Sequence, residues 1–116
     1  MAMEKKYMKC NHELPLLEAA KLLLGVGRRN LVVTDEKDRM LGTLSVSDIL
    51  RLVVSHNYDW SVILVGEVMM TEYIFLNAGH TKNDAIEKFK KYKIDYLPVL
   101  NKQNILVGIE FIHNYL

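Results

Sequence analysis

The sequence predicts an α/β (α+β) protein built from two copies of one strand–helix–strand–strand–helix unit. Three observations predict it. First, sliding the chain along itself by 66 positions lays residues 3–50 on residues 69–116 without a gap. Tyr7 then falls on Tyr73, Asn11 on Asn77, Ala19 on Ala85, Leu31 on Leu97, Val33 on Val99 and Gly42 on Gly108. Second, apolar residues in each copy switch between helical spacing and short extended runs. Third, polar turn residues punctuate both copies at matching places. The first repeat is expected over residues 1–55, a linker over 56–68 and the second repeat over 69–116, the whole forming one module.

Each copy opens on a short extended piece, residues 7–10 or 73–76, the second rich in strand-forming Tyr, Ile and Phe. A polar turn follows, at Asn11-His12-Glu13 or Asn77-Ala78-Gly79-His80. Pro15 then suits the first turn of a helix, where its missing N–H costs little. That helix carries Leu16, Leu17, Ala19, Ala20, Leu22, Leu23 and Leu24, and Gly25 and Gly27 are expected to end it. Its counterpart has Ala85, Ile86, Phe89 and Tyr92 at helical spacing, with lysines opposite. Leu31-Val32-Val33 and Leu97-Pro98-Val99-Leu100 read as buried strands. Pro98 cannot donate to a ladder, so it is expected at a strand start or an edge. The polar runs 35–38 and 101–104 read as hairpin turns leading to a paired strand. Gly42 and Gly108 are expected to open the last helix of each copy. Between the copies, Trp60 and Val62 are expected to pack between the repeats.

Composition narrows the function. With 116 residues, half of them hydrophobic and a quarter charged, the chain is globular and large enough to bury a core. A net charge of +1 gives no electrostatic footprint for nucleic acid. The single cysteine, Cys10, cannot form an internal disulfide and fits a reducing compartment. Apolar runs such as Ile63-Leu64-Val65 are too short to span a bilayer, and the N-terminus shows no secretion signal. A cytoplasmic protein with no membrane part is expected. The second repeat stops at Leu116, the match of Leu50, which leaves a longer regulated parent protein open.

Chemistry concentrates in Gly42-Thr43-Leu44-Ser45-Val46-Ser47-Asp48. Ser45 and Asp48 stand three apart at a helix entrance, where free backbone N–H groups and the helix dipole favour phosphate or sugar oxygens. A carboxylate there can accept from two vicinal ribose hydroxyls. The plainer alternative is an ordinary N-cap, in which Ser45, Ser47 or Asp48 satisfies orphan amides.

These features together resemble a tandem pair of CBS domains, a Bateman module, similar to the CBS repeats of the AMP-activated protein kinase gamma subunit. The resemblance covers nearly the whole chain. It rests on Leu17-Glu18-Ala19-Ala20, Asp84-Ala85, Leu31-Val32-Val33, Leu97-Pro98-Val99, Val68-Met69-Met70-Thr71 and Gly42-x-x-Ser45-x-x-Asp48. It implies two β-α-β-β-α repeats packed with pseudo-twofold symmetry. It also implies an adenosine-containing ligand (AMP, ADP, ATP or S-adenosylmethionine) in the cleft between the repeats, a homodimer formed through helices, and control of a partner enzyme, transporter or attached domain. No cofactor is required beyond that regulatory ligand.

Carried over residue by residue, the resemblance implies that Ser45 and Asp48 hold ribose while Thr43 lines the pocket. Tyr73 and Ile74, then Lys93, Asp95, Tyr96 and Pro98, come from the opposite wall. Lys93 and Arg29 would contact phosphate, and Tyr96 would offer a ring to adenine. Asp95 stands where a basic residue is expected and would repel a polyphosphate, which favours AMP or a ligand with an uncharged tail over ATP. In the second repeat, Phe111 replaces the Ser45 position and Asn114 the Asp48 position, so one site is expected intact and the other degraded.

Simpler readings stand beside these. Arg28 and Arg29 also suit a helix C-terminus, and Lys93 belongs to a lysine-rich face with Lys88, Lys90 and Lys91. Tyr7 and Tyr73 fit a core or cleft wall. His12, His56, His80 and His113 show no i,i+4 pair and no carboxylate or cysteine cluster, so no metal site or catalytic triad is expected. Cys10 reads as a buried small hydrophobe. With no phosphate loop, paired acids or activated nucleophile, no enzyme activity is expected. Two functions remain: a nucleotide-sensing regulatory module with one competent cleft, or a ligand-silent module for dimerisation and scaffolding.

Overall fold

In the computed structural model, which describes residues 9–26, 29–55 and 59–116, the chain forms two compact units, one ending at Tyr73 and the other comprising residues 74–116 of the described chain. Each holds one repeat. In the first, β1 (Lys9–Asn11), α1 (Leu16–Val26), β2 (Asn30–Thr34), β3 (Met40–Ser45) and α2 (Val46–Ser55) follow the expected order, and α3 (Val65–Val68) packs onto them. In the second come β4 (Leu76–Asn77), α4 (Lys82–Tyr92), β5 (Tyr96–Leu100), β6 (Leu106–Phe111) and a 3₁₀ turn, η1 (Ile112–Tyr115).

The two sheets share one plan. β2 lies between β1, parallel to it, and β3, antiparallel; β5 lies likewise between β4 and β6. The offset of 66 reaches the irregularities too: the register shifts at Val33/Thr34 and again at Val99/Leu100. Both hairpins turn through a residue with left-handed backbone, Asp38 at φ 61° and Asn104 at φ 66°. Asp and Asn tolerate that conformation better than other non-glycine residues. The turns are also knit alike. Asp35 Oδ1 accepts from the backbone of Lys37 and Arg39, and Asn101 Oδ1 accepts from Gln103 and Ile105.

Each unit has its own core. Leu16, Ala19 and Leu23 of α1 and Ile49 of α2 close over Cys10, Leu31, Val33 and Leu44, with Val65 filling one end. In the second unit Ala85 and Phe89 of α4 cover Leu76, Leu97 and Val99. These are the i, i+3/i+4 and alternate-strand positions expected for covered sheet faces.

Several local expectations change. Gly25 lies inside α1, which runs on to Val26; Gly27, like Tyr7, Arg28 and His56, lies outside the described residues. Tyr73–Phe75 are not strand, and β4 begins only at Leu76. Pro98 sits within β5, the central strand, opposite Ile109. Ile112 donates to the Asp95 carbonyl, so alternation along the ladder makes Pro98–Ile109 a pair without mutual bonds. The nitrogen of Pro98 then faces the β4 side, where pairing begins only at Val99. No ladder bond is lost.

Gly42 and Gly108 do not open helices; they lie within β3 and β6. At Gly42 the reason is close approach. A Cβ there would stand 2.5 Å from the Met70 carbonyl oxygen and 2.9 Å from Met69 Sδ. Thr43 and Met70 exchange two backbone hydrogen bonds of 2.9 and 2.8 Å, which seal the outer edge of β3. Trp60 packs against the first repeat's own core and accepts from the Leu17 amide through its carbonyl, whereas Val62 is 69% exposed.

Candidate ligand-binding site

The end of β3 and the start of α2 form a closed hydrogen-bonding unit. Ser45 Oγ accepts from the Asp48 amide at 3.0 Å, and Asp48 Oδ2 accepts from the Ser45 amide at 3.0 Å. This is a reciprocal capping box, which satisfies two orphan donors at once. Arg51 Nη1 donates to Asp48 Oδ1 at 3.1 Å, and the Asp48 side chain is only 12% exposed. The plainer N-cap chemistry is therefore present. It does not exhaust the carboxylate: two oxygens offer about four lone-pair sites, and two are used. The Ser45 hydroxyl accepts one bond and keeps its own proton to donate.

Arg29 belongs to the same end of the sheet. Its carbonyl accepts from the Val46 amide at 2.9 Å, its side chain is exposed, and the next residue, Asn30, pairs with Ser45. Thr43 is half-buried in β3, with its backbone held by Met70. Tyr73 closes this unit by donating from its hydroxyl to the Met40 carbonyl at 3.4 Å. The first unit thus brings Arg29, Ser45 and Asp48 to one end of its sheet.

The remaining predicted residues lie in the second unit. Asp95 occupies the position equivalent to Arg29, and its carbonyl accepts from Ile112 as Arg29's does from Val46. Its side chain is exposed. Tyr96 is half-buried beside Phe111 in the strand register, and Ile74 packs against the second core. Lys93 is exposed; it ends α4 with left-handed backbone, φ 53°, and donates its N–H to the Phe89 carbonyl. Pro98 is fully buried in β5. Phe111 is buried and stacks on His113, with ring centroids 5.5 Å apart. The side chain of Phe111 does not cap η1.

Three features went unread in the sequence. The Nε2 of His12 lies 3.8 Å from both Glu13 Oε1 and Glu36 Oε2, because the β1–α1 turn sits beside the β2–β3 hairpin. That corrects the expectation of no carboxylate cluster around a histidine, and these three side chains could coordinate a metal ion. Both carboxylates are exposed. The second feature is a groove of about 430 Å³ between α1 and α2, lined by Ala20, Leu23, Leu24, Val46, Ile49, Leu50 and Trp60. The third is a contact in the second repeat between half-buried His80 and buried Glu110, Nε2 to Oε2 at 3.3 Å. Cys10 behaves as expected: burial pushes its thiol up to about 11, which leaves it protonated and inert. No helix among the described residues is long and apolar enough to cross a membrane.

Comparison with known proteins agrees with the repeat architecture. The family model for the CBS domain matches residues 1–55 and 65–109. No curated protein sequence matches the chain. Among solved structures, a putative acetoin utilization protein (AcuB) from Vibrio cholerae superposes with a TM-score of 0.84 at 24% identity, over 97% of this chain and 82% of that one. The CBS domain pair of protein MJ0100, in complex with 5'-methylthioadenosine and S-adenosyl-L-methionine, gives 0.77 at 21% identity, over 97% and 91%. The cytosolic domain of the Mg²⁺ channel MgtE, in complex with ATP, gives 0.79 at 21% identity, over 97% of this chain and 45% of that one.

Proposed function

The chain belongs to the CBS domain family, and we propose that it is a regulatory module that senses an adenosine-containing ligand through its first repeat. One observation carries this reading. The β3–α2 junction keeps Ser45 and Asp48 with unused hydrogen-bonding capacity beside Arg29, whereas the second repeat has Phe111, Asn114 and Asp95 at those positions. In the assigned roles, Asp48 accepts from the ribose hydroxyls, Ser45 donates to ribose or the first phosphate, and Arg29 neutralises the phosphate. The family resemblance adds Thr43, Tyr73, Ile74, Lys93, Asp95, Tyr96 and Pro98 as the remaining contacts. The adenosine ligands bound by the MJ0100 domain pair and by MgtE support the ligand class. Among the contacts that the resemblance implies, Asp95 would repel a polyphosphate, so AMP is the first ligand to test, ahead of ADP, ATP and S-adenosylmethionine. Regulation of a partner or attached domain, and a cytoplasmic location, complete the proposal.

The same reading includes a homodimer. The exposed apolar side chains of α1 and α2, with Leu24 85% and Val54 87% exposed, leave a face that monomers rarely keep open. Light scattering at micromolar concentration should give twice the chain mass; a monomer contradicts the dimer alone. A second function, a ligand-silent scaffold, is favoured by the engagement of both Asp48 oxygens within the chain. A thermal-shift screen with the four ligands separates the two. The sensing module should melt at a higher temperature with at least one of them, and the scaffold with none.

A further inference from the structure

The turn between β1 and α1 meets the β2–β3 hairpin at one end of the first sheet, and three metal-ligating side chains converge there. His12 and Glu13 come from the turn, and Glu36 from the hairpin. Each is held through its backbone. The His12 amide donates to the Thr34 carbonyl at 3.0 Å, and its own carbonyl accepts from the Gly66 amide at 2.8 Å. The Glu13 amide donates to Asn11 Oδ1 at 2.8 Å. Glu36 sits in a turn closed by the Asp38 amide on the Asp35 carbonyl at 3.0 Å. Gly66 also makes room for the imidazole: a Cβ there would stand 3.2 Å from His12 Cβ and 3.4 Å from Nδ1. The Nδ1 edge of the ring therefore lies against α3, and Nε2 is the nitrogen turned to the carboxylates.

Nε2 stands 3.8 Å from Glu13 Oε1 and 3.8 Å from Glu36 Oε2. Each gap is too long for a hydrogen bond. Each is shorter than the roughly 4.2 Å that two metal–ligand bonds of about 2.1 Å can span. The three donor atoms all lie within 4.8 Å of one another, so the two carboxylates are close enough to repel. A divalent cation between them turns that repulsion into attraction. Both glutamate side chains are exposed, which leaves them free to close on an ion.

The imidazole decides which cation. Carboxylates alone suit Mg²⁺ and Ca²⁺, which take oxygen ligands. One imidazole nitrogen with two carboxylate oxygens suits a borderline ion such as Zn²⁺, with a fourth position left for water. The second repeat supplies the contrast. Under the 66-residue offset, Ala78, Gly79 and Lys102 stand in place of His12, Glu13 and Glu36, so all three donors are gone and one has become a cation.

We propose that His12, Glu13 and Glu36 form a Zn²⁺ site that ties the β1–α1 turn to the β2–β3 hairpin of the first repeat. An ion that binds only the folded repeat makes it harder to unfold. The hairpin lies at the opposite end of β2 and β3 from Arg29, Ser45 and Asp48, so the inference does not depend on the nucleotide reading.

The test uses the full chain, stripped with a chelator that is then removed. It is titrated calorimetrically with zinc chloride at about pH 7.5, where an ordinary imidazole is mostly neutral. Two variants are compared with the parent. Glu36→Gln keeps the size of an exposed hairpin side chain and removes its charge; His12→Ala removes the nitrogen. Losing an outer partner of a metal ligand already weakens binding about 10–100-fold, so losing a ligand should cost at least about tenfold in each variant. Cys10, His56, His80 and His113 are common to all three chains, so zinc held elsewhere binds them equally. Zinc should also raise the melting temperature of the parent and leave that of Glu36→Gln unmoved. A parent that takes up no zinc, or a Glu36→Gln chain that binds it as tightly as the parent, overturns the proposal. Magnesium chloride at the same concentration should not displace the zinc; displacement would mean that the carboxylates act without the imidazole, and overturns it too. If His12→Ala does not fold, Glu36→Gln still decides, because its side chain is no part of the core.

Discussion

The two repeats differ most at the junction between the last strand and the helical segment after it. In the first repeat, Ser45 and Asp48 cap α2 and Arg29 stands alongside; in the second, Phe111, Asn114 and Asp95 occupy those places and the side chain of Phe111 makes no cap. A polar, partly unsatisfied end has become an apolar end with the opposite charge. The capping box has moved as well: Thr81 and Asp84 cap α4, while its counterpart α1 starts after Pro15. The cores diverge in the contrary sense, with Leu44 in one and Glu110 in the other. A duplicated backbone therefore supports two chemistries, because caps and core pairs can be exchanged without altering strand register.

The largest effect expected from this comparison is in the first core. Leu44→Ala removes a fully buried side chain and should cost about 2–5 kcal/mol, measured by urea unfolding. A cost below about 1 kcal/mol would mean that the first repeat is loosely packed. The caps come next. Ser45→Ala and Thr81→Ala each remove one side of a capping box and should each cost about 1 kcal/mol, most of it local to α2 or α4. Amide exchange should report the loss in the matching helix, and loss spread evenly over both would contradict the separate boxes. The smallest effect is in the hairpins. Burial works to raise Asp35, but hydrogen bonds from Arg39 and Lys37 outweigh it and hold the carboxyl below its ordinary value. A lowered native value stabilises above the unfolded carboxyl's range, and that stabilisation fades as pH falls through the native value. Asp35→Asn makes the first hairpin like the second at Asn101, so it should flatten part of the acid limb of the melting curve. An unchanged acid limb would contradict the assignment.

Much of the fold was legible because it is local. The 66-residue offset, the alternating strands and the turn residues Asp35 and Asn101 all announce themselves within a few positions. What was missed depends on distant partners. Nothing near Gly42 reveals that Met69 and Met70 lie against it, and nothing near His12 reveals Glu36. His80 and Glu110 are 30 positions apart, and each alone reads as a surface residue. The loss of one capping side chain was readable: Phe111 has no hydroxyl to offer where Ser45 has one. In the candidate site, the pairing of Ser45 with Asp48 followed from their spacing. The equivalence of Arg29 with Asp95 follows from the 66-residue offset, and the strand-end hydrogen bonds match it.

The central claim is that the two junctions are functionally unequal, and titration calorimetry with AMP tests it most directly. Asp48→Ala removes charge-assisted bonds worth about 1.5–3 kcal/mol and should weaken binding at least about tenfold. Asn114→Ala should leave affinity within about twofold of the parent. Both variants are first shown to be folded by their melting curves, so that a general loss of structure is not mistaken for a lost contact. An Asp48→Ala chain that binds as tightly as the parent, or equal losses at Asp48 and Asn114, would contradict the account.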